Sequence, residues 1–277
     1  MPSVVNTNLA SLNAQRNLSN TQVMLGQSIQ RLSTGLRVNS AKDDAAGLAI
    51  ADRMNAQIRG MNVANRNAND GISLAQTAEG ALDKVGDMAQ RMRELAVQST
   101  NSTNQASDRN SLDAEYQQLG AEITRTLAGT RFNGLAILGA SAGSMSFQIG
   151  ANTTANDSIT VATTDLTAAA SVTAVTGGGV TTAALATTAI DNLDTMINTI
   201  SSQRAAYGAT QNRFDAVIGT LQVGAENQTA ARSRIMDADF ASETASLTRM
   251  QVLRQAGVAM LSQANAAPQA VLSLLRA

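Results

Sequence analysis

Leu18, Gln22, Leu25, Ile29, Leu32 and Leu36 follow one another at alternating steps of four and three, the spacing that keeps side chains on one face of a coiled-coil helix. Leu9 and Leu12 extend this face toward the N-terminus after a small slip in phase, so the pattern predicts a helix ending near Asn39. A second stripe, carrying Ile50, Met54, Met61, Ala64, Ala68, Ile72, Ala75, Leu82, Val85, Met92 and Ala96, predicts a helix over 45–99. Gly60, Gly71, Gly80 and Gly86 interrupt that stripe; such glycines suit the close approach of a neighbouring helix, at a local cost of roughly 1 kcal/mol each where exposed. The polar run STNSTNQASD (99–108) ends this helix. Ser107 or Asp108 is expected to cap the next, whose apolar face is Leu112, Tyr116, Leu119, Ile123 and Leu127.

The pattern then changes period. Asn133-Gly134 between apolar residues is a hairpin signal, and Met145, Phe147 and Ile149 alternate, as do Ile159 and Val161, which predicts short strands. Residues 151–188 are dominated by Ala, Thr, Ser and Gly, with Gly177-Gly178-Gly179 as a turn or flexible tip; this composition is expected to form an exposed, tolerant surface tip near 141–188. From Ile190 the helical seam resumes through Leu193, Ile197, Ile200, Arg204, Tyr207, Gln211, Phe214, Ile218, Leu221, Ala225, Gln228, Arg232 and Ile235 without a slip. A helix of that length is about 70 Å long, wider than a compact domain, so it must pack along others. After the acidic break MDADFASE, a last amphipathic stretch carries Phe240, Leu247, Met250, Val258 and Leu261, followed by Val271, Leu272, Leu274 and Leu275 beyond Pro268.

Composition narrows what these helices can do. Hydrophobic residues make up 44% of the 277 residues but aromatics only 2%, so the core is built from Ala, Leu, Ile, Val and Met, which suits closely packed helices better than a deep pocket. His and Cys are both absent, which removes the usual general base, the thiolate nucleophile and the commonest transition-metal ligands. The expectation is a protein that is not an enzyme and carries no cofactor or metal. A formal charge of −1 with no basic run argues against nucleic acid as a partner. No apolar run approaches the ~18 residues of a membrane span, and the start MPSVVNTNLASLNAQR lacks the basic-then-apolar order of a general secretory signal.

The predicted terminal segments, 1–39 and 239–277, are equal in length, and each meets the rest of the chain at an acidic joint. They read as an antiparallel pair made from opposite ends of the chain, each leaving an apolar face for other copies, a head-to-tail arrangement that generates rings or helical filaments. The fold class is therefore mainly α: an elongated helical rod with a terminal antiparallel coiled-coil pair and a small β-hairpin region in the middle of the chain. The domains expected are a terminal coiled-coil domain of 1–40 plus 238–277 and a helical rod domain of 41–237.

At the joint, Ser40 and Asp43 fit the spacing of a capping pair ahead of an apolar run, with Asp43 and Asp44 in the first helical turn. Contacts of Arg37 or Lys42 with the acidic residues at 237–243, or of Arg232 and Arg234 with Asp43 and Asp44, are expected within one subunit or between neighbours. The joint thus comprises Arg37, Lys42, Asp43, Asp44, Arg232, Arg234, Asp237 and Asp239. A hard-cation site on Asp43, Asp44, Asp237 and Asp239 lacks the looped, glycine-bearing ligand spacing that such ions want.

Two blocks resemble the bacterial flagellins: NTNLASLNAQRNL, QRLSTGLRVNSAKDDAAGLAIADRM, QIRGMN and RNANDGISLAQTAEGAL in the first, and RSRIMDADFASETASLTRMQVLRQAG with AMLSQANAAPQAVLSLLR in the second. The resemblance implies a structural subunit that polymerises with itself into the flagellar filament, is exported through the flagellar type III apparatus with a chaperone, and meets filament cap and hook-junction proteins. Its implied location is the extracellular flagellum, and the filament core is expected to be packed by Leu18, Leu25, Ile29, Leu32, Leu247, Val258, Leu261, Leu272 and Leu275. Only about 50 residues separate the blocks, so large outer domains are missing or reduced. A hook-filament junction protein shares the terminal pattern, but the continuous match over ELAVQ and RNANDGISLAQTAEGAL favours the main subunit. The resemblance also implies contact with a Toll-like receptor of a host through Gln90, Arg91, Leu95, Gln98 and Glu115, with Leu95 and the methionines beside it otherwise packing one protofilament against the next.

Overall fold

In the computed structural model the described residues are 7–274, with side chains described for 7–266. They form mainly helix: α1 (Leu9–Thr34), α2 (Ala45–Thr100), α3 (Ala106–Gly129), α4 (Ala170–Thr176), α5 (Ala183–Met236) and α6 (Phe240–Leu274), with strands β1 (Arg131–Phe132), β2 (Leu135–Ala136), β3 (Ser144–Gln148) and β4 (Ser158–Ala162) between α3 and α4. The chain divides into two compact units, one made of residues up to Ala56 and from Asn227 onward, the other of Gln57–Glu226.

The Gln57–Glu226 unit has a closed core. Along α2 the residues Ala64, Ala68, Gly71, Ala75, Ala78, Leu82, Val85, Ala89, Met92, Ala96 and Ser99 are all buried and follow one another by steps of three and four, so one stripe runs the length of this part of the helix. Half of that stripe is alanine, which lets α3 and α5 come close. Gly71 marks the tightest approach: a Cβ there would lie 2.5 Å from Cζ of Phe214 on α5. Phe214 in turn meets Phe147 of β3 edge to face, ring centres 5.7 Å apart. The expected seam of α5 is followed through Leu193, Ile200, Tyr207 and Phe214, all buried.

The Asn133-Gly134 hairpin forms as its sequence demands, with both residues at positive φ (47° and 82°) linking β1 to β2. A second antiparallel pair joins β3 to β4, with Met145 opposite Val161 and Phe147 opposite Ile159, which places the alternating apolar residues on one face.

Two expectations are corrected here. The segment expected as an exposed tip is anchored in the core: Leu166, Val172, Val175 and Val180 are no more than 2% exposed. Its glycines lie against α3, where Gln117 Nε2 donates to Gly178 O (2.7 Å) and Val180 N donates to Asp113 Oδ1 (2.7 Å), and a Cβ on Gly179 would fall 2.8 Å from Asp113 Oδ1. A few valines, well spaced in a bland sequence, are enough to bury the segment. The second correction concerns the start of α3. Gln105 holds the cap position rather than Ser107 or Asp108, and Asp108 accepts a hydrogen bond from Gln105 N (3.0 Å) in the reciprocal position of a capping box.

The unit built from the chain ends is much less closed. Among its described residues the buried apolar ones are Leu25, Val38 and Ala51.

Candidate assembly surface

Helices α1 and α6 pair antiparallel. Asn8 Nδ2 donates to Ala264 O (2.7 Å), Ser11 Oγ to Asn265 Oδ1 (2.7 Å), Leu18 packs against Gly257, and Arg31 Nη1 meets Glu243 Oε2 at 3.7 Å. The caps suit this arrangement. Asn8 Oδ1 accepts from Ser11 N at the start of α1, Gly35 ends it in a left-handed conformation at φ 72°, and Asp239 Oδ1 accepts from Ala241 N and Ser242 N at the start of α6.

The face of α1 turned toward α6 is Ser11, Ala14, Leu18, Thr21, Leu25, Ser28 and Leu32, each buried or half-buried. This seam shares Leu18, Leu25 and Leu32 with the expected one but replaces Gln22 and Ile29 by Thr21 and Ser28. Both phases step by three and four, so periodicity alone could not separate them; the small residues are chosen because they let two helices approach closely. The larger apolar residues are left outside. Leu9, Leu12, Val23, Met24 and Ile29 of α1, and Phe240, Val252, Leu253, Val258 and Met260 of α6, are each about half or more exposed. Leu247 and Leu261 are half-buried, while the side chain of Leu272 and all of Leu275 lie outside the described residues. Leu18, Met24, Met250, Leu253 and Met260, with intervening alanines and asparagines, line a groove of about 670 Å³ between the two helices. A contiguous exposed apolar surface of this kind is the mark of an interaction face.

The joint closes through main chain. Leu36 and Asp237 form an antiparallel bridge, with Arg37 N donating to Met236 O (2.6 Å) and Ala238 N donating to Gly35 O (2.9 Å). Arg37 Nη2 donates to the carbonyl of Ile235 (2.6 Å) rather than to a carboxylate, and Arg232 Nη1 donates to Asn55 Oδ1 (3.2 Å). Lys42 and Arg234 are exposed, and neither forms an ion pair within the chain among the described residues. The within-chain ion pair here is Arg31 with Glu243, which sequence reading missed.

Asp43 accepts from Ser40 Oγ (3.0 Å), Ser40 N (3.0 Å), Asn39 N (3.2 Å) and Gln27 Nε2 (3.3 Å). These bonds, led by the Ser40 hydroxyl, hold its carboxyl below the usual carboxylate range. The Ser40–Asp43 turn precedes the helix rather than capping it, and Asp44 Oδ1 accepts from Gly47 N (2.8 Å) to cover the first turn of α2. Asp237 accepts from Ser233 Oγ (2.6 Å).

The stretch QRMRELAVQ lies on α2 in the other unit. Arg91 Nε donates to Glu115 Oε1 (3.0 Å) and Arg91 Nη1 to Glu94 Oε2 (2.9 Å), and both partners hold the guanidinium in its charged form, raising its pKa. Gln90 and Gln98 are exposed beside them. Leu95 corrects the expectation, because it is 1% exposed and part of this unit's own core, as Met92 is at 0%. Neither side chain is on the surface to pack a protofilament or meet a receptor. Helical phase explains the split: residues 92, 95, 96 and 99 fall on the stripe that faces α3 and α5, and 90, 91, 94 and 98 on the opposite one.

Among the described residues no helix is long and apolar enough to cross a membrane, and no three carboxylates gather as a metal site would need.

The family model for the bacterial flagellin N-terminal helical region matches residues 5–143, and that for the bacterial flagellin C-terminal helical region matches 190–275. The chain belongs to the bacterial flagellins. It is 46% identical to a flagellin of Halalkalibacterium halodurans over 99% of this chain and 100% of that one. It is 42% identical to the flagellar filament 33 kDa core protein of Treponema phagedenis over 99% and 100%, and 41% identical to a flagellin of Bacillus subtilis over 98% and 99%. A crystal structure of Bacillus cereus flagellin superposes with a TM-score of 0.50 at 33% identity, covering 60% of this chain and 94% of that one. Flagellins are structural subunits, and the stretch 144–189, holding β3, β4 and α4, is matched by neither family model.

Proposed function

We infer that this flagellin works as a structural subunit that assembles with copies of itself into the flagellar filament, and that the α1–α6 pair is the element that carries assembly. The observation that supports this most strongly is the outward placement of Leu12, Val23, Met24, Ile29, Leu253, Val258 and Met260 on two helices whose shared seam is mostly small residues. Burying such side chains is worth roughly 1.5–3 kcal/mol each, a driving force open to other copies. Residues 1–40 with 238–277 form the filament-core domain in this reading, and 41–237 the remainder, whose closed core lies within 57–226. The joint residues, Arg37 and Asp43 foremost, set the register between the two chain ends, Asp239 caps α6, and Lys42 and Arg234 remain available to neighbouring subunits.

Secretion by the flagellar type III apparatus, an export chaperone, the filament cap and the hook-junction proteins complete the reading. Recognition by a host Toll-like receptor would engage the exposed Gln90, Arg91, Gln98 and Glu115, with Leu95 acting only through packing beneath them. The decisive experiment removes residues 1–39 and 239–277 and follows salt-induced polymerisation by electron microscopy. The trimmed protein is expected to stay monomeric with its helix content otherwise intact. Filaments formed by it would overturn the assignment.

A further inference from the structure

The chain contains 11 methionines, and they are not equally sheltered. Met92 and Met196 are fully enclosed, and Met54, Met61, Met88, Met145, Met236 and Met250 are half-buried. Met24 and Met260 are 52% and 64% exposed, and both line the groove between α1 and α6, together with Met250. The two most accessible thioethers among the described residues therefore sit at the surface assigned to assembly. A thioether suits this place because it is flexible and polarizable and adapts to whatever packs on it. Oxidation turns the same group into a polar sulfoxide, and its ease follows exposure.

We propose that Met24 and Met260, with Met250, form an oxidation-sensitive site that decides whether the α1–α6 groove accepts another copy of the chain. The inference rests on the assembly reading above. A peroxide is the oxidant. The sulfur lone pair attacks one peroxide oxygen, an S–O bond forms as the O–O bond breaks, and the departing hydroxide takes the proton from the oxygen now on sulfur, leaving the sulfoxide and water. Sulfur is oxidised and the peroxide reduced. The new S–O dipole is strongly hydrated in the open groove, and covering it with another copy costs that hydration, so docking loses part of the burial it depended on. Once another copy covers the groove, the same sulfurs are shielded, so the free subunit is the vulnerable form.

The test treats purified full-length monomer with hydrogen peroxide, quenches it, maps sulfoxides by peptide mass spectrometry, and measures the critical concentration for polymerisation. Met24 and Met260 are expected to oxidise first and Met92 and Met196 last. The critical concentration should rise roughly tenfold, and methionine sulfoxide reductase should restore it. The same dose given to the polymer should spare Met24 and Met260. In the Met24→Leu/Met250→Leu/Met260→Leu variant, the critical concentration, whatever its starting value, should be the same before and after peroxide. Wild-type protein oxidised at both sites that polymerises at its original concentration would overturn the proposal, as would a peroxide-induced rise in the Leu variant equal to that of the wild type. Failure of untreated protein to polymerise would instead count against the assembly reading.

Discussion

The two units use nearly the same apolar alphabet and reach opposite outcomes. In the Gln57–Glu226 unit the stripe of α2 meets partners on α3, α5, the hairpins and α4, and side chains as large as Phe214, Tyr116, Leu82 and Met92 are enclosed. In the unit made from the chain ends, α1 has α6 alone to pair with along its length, the seam between them is mostly small, and the large apolar residues face out. Amphipathic periodicity tells where an apolar stripe lies but not whether the chain itself supplies enough surface to cover it.

The largest test of this contrast sets Phe214→Ala against Ile29→Ala. Emptying the enclosed Phe214 site is expected to cost ~3–5 kcal/mol in denaturant unfolding of the monomer. Ile29 is 52% exposed, so its truncation should stay within about 0.5 kcal/mol while raising the critical concentration for polymerisation. Equal costs at the two sites would mean that the chain-end unit hides a core of its own.

Next in size is Gly71→Ala. An added methyl meets the Phe214 ring at 2.5 Å, and overpacking of this kind costs ~1–3 kcal/mol. At Gly80, where nothing lies within 4 Å, the same change should stabilise the helix by up to ~1 kcal/mol. Thermal melts of both variants would check the difference.

The two tyrosines, both in the closed unit, provide a smaller and more specific probe. Tyr116 OH donates to Val175 O (3.3 Å), whereas the buried Tyr207 hydroxyl has no hydrogen-bond partner among the described residues. Tyr116→Phe should therefore cost about 1 kcal/mol and Tyr207→Phe be neutral or stabilising. Burial pushes both phenols up to about 12 from 10.0. A raised acid favours the protonated folded state, so its contribution is complete below pH 10 and lost as the pH climbs toward 12. Tyrosinate absorbance should appear together with loss of helix in that window, not before it. The smallest effect is expected at the Arg91–Glu115 pair, where both side chains are about half exposed. Removing either should leave the melting midpoint unchanged.

Much of this arrangement could be read in advance. Long unbroken spacing located α2, α5 and the terminal pair, and Asn133-Gly134 located the tight hairpin because few residues tolerate positive φ. Three features could not be read. Hydrophobicity alone places the α1 seam through Gln22 and Ile29, yet close helix packing favours Ser11, Thr21 and Ser28. The joint was expected to rest on side-chain charge, but main-chain bonds between 35–37 and 236–238 carry it, and those leave no trace in residue type. The burial of Val172, Val175 and Val180 was hidden by the alanines and threonines around them, since a short segment needs only a few anchors.

The pairing of α1 with α6 also has a consequence for how the molecule comes into being. Helix α1 is complete by residue 34, while α6 begins only at Phe240, about 200 residues later. At a synthesis rate of about 5–20 residues per second the first helix waits roughly 10–40 s for its partner. A contact spanning nearly the whole chain is also entropically the most expensive to close. The two ends are thus the last part of the subunit able to meet, and until they do, the sequence that makes the seam remains an open chain.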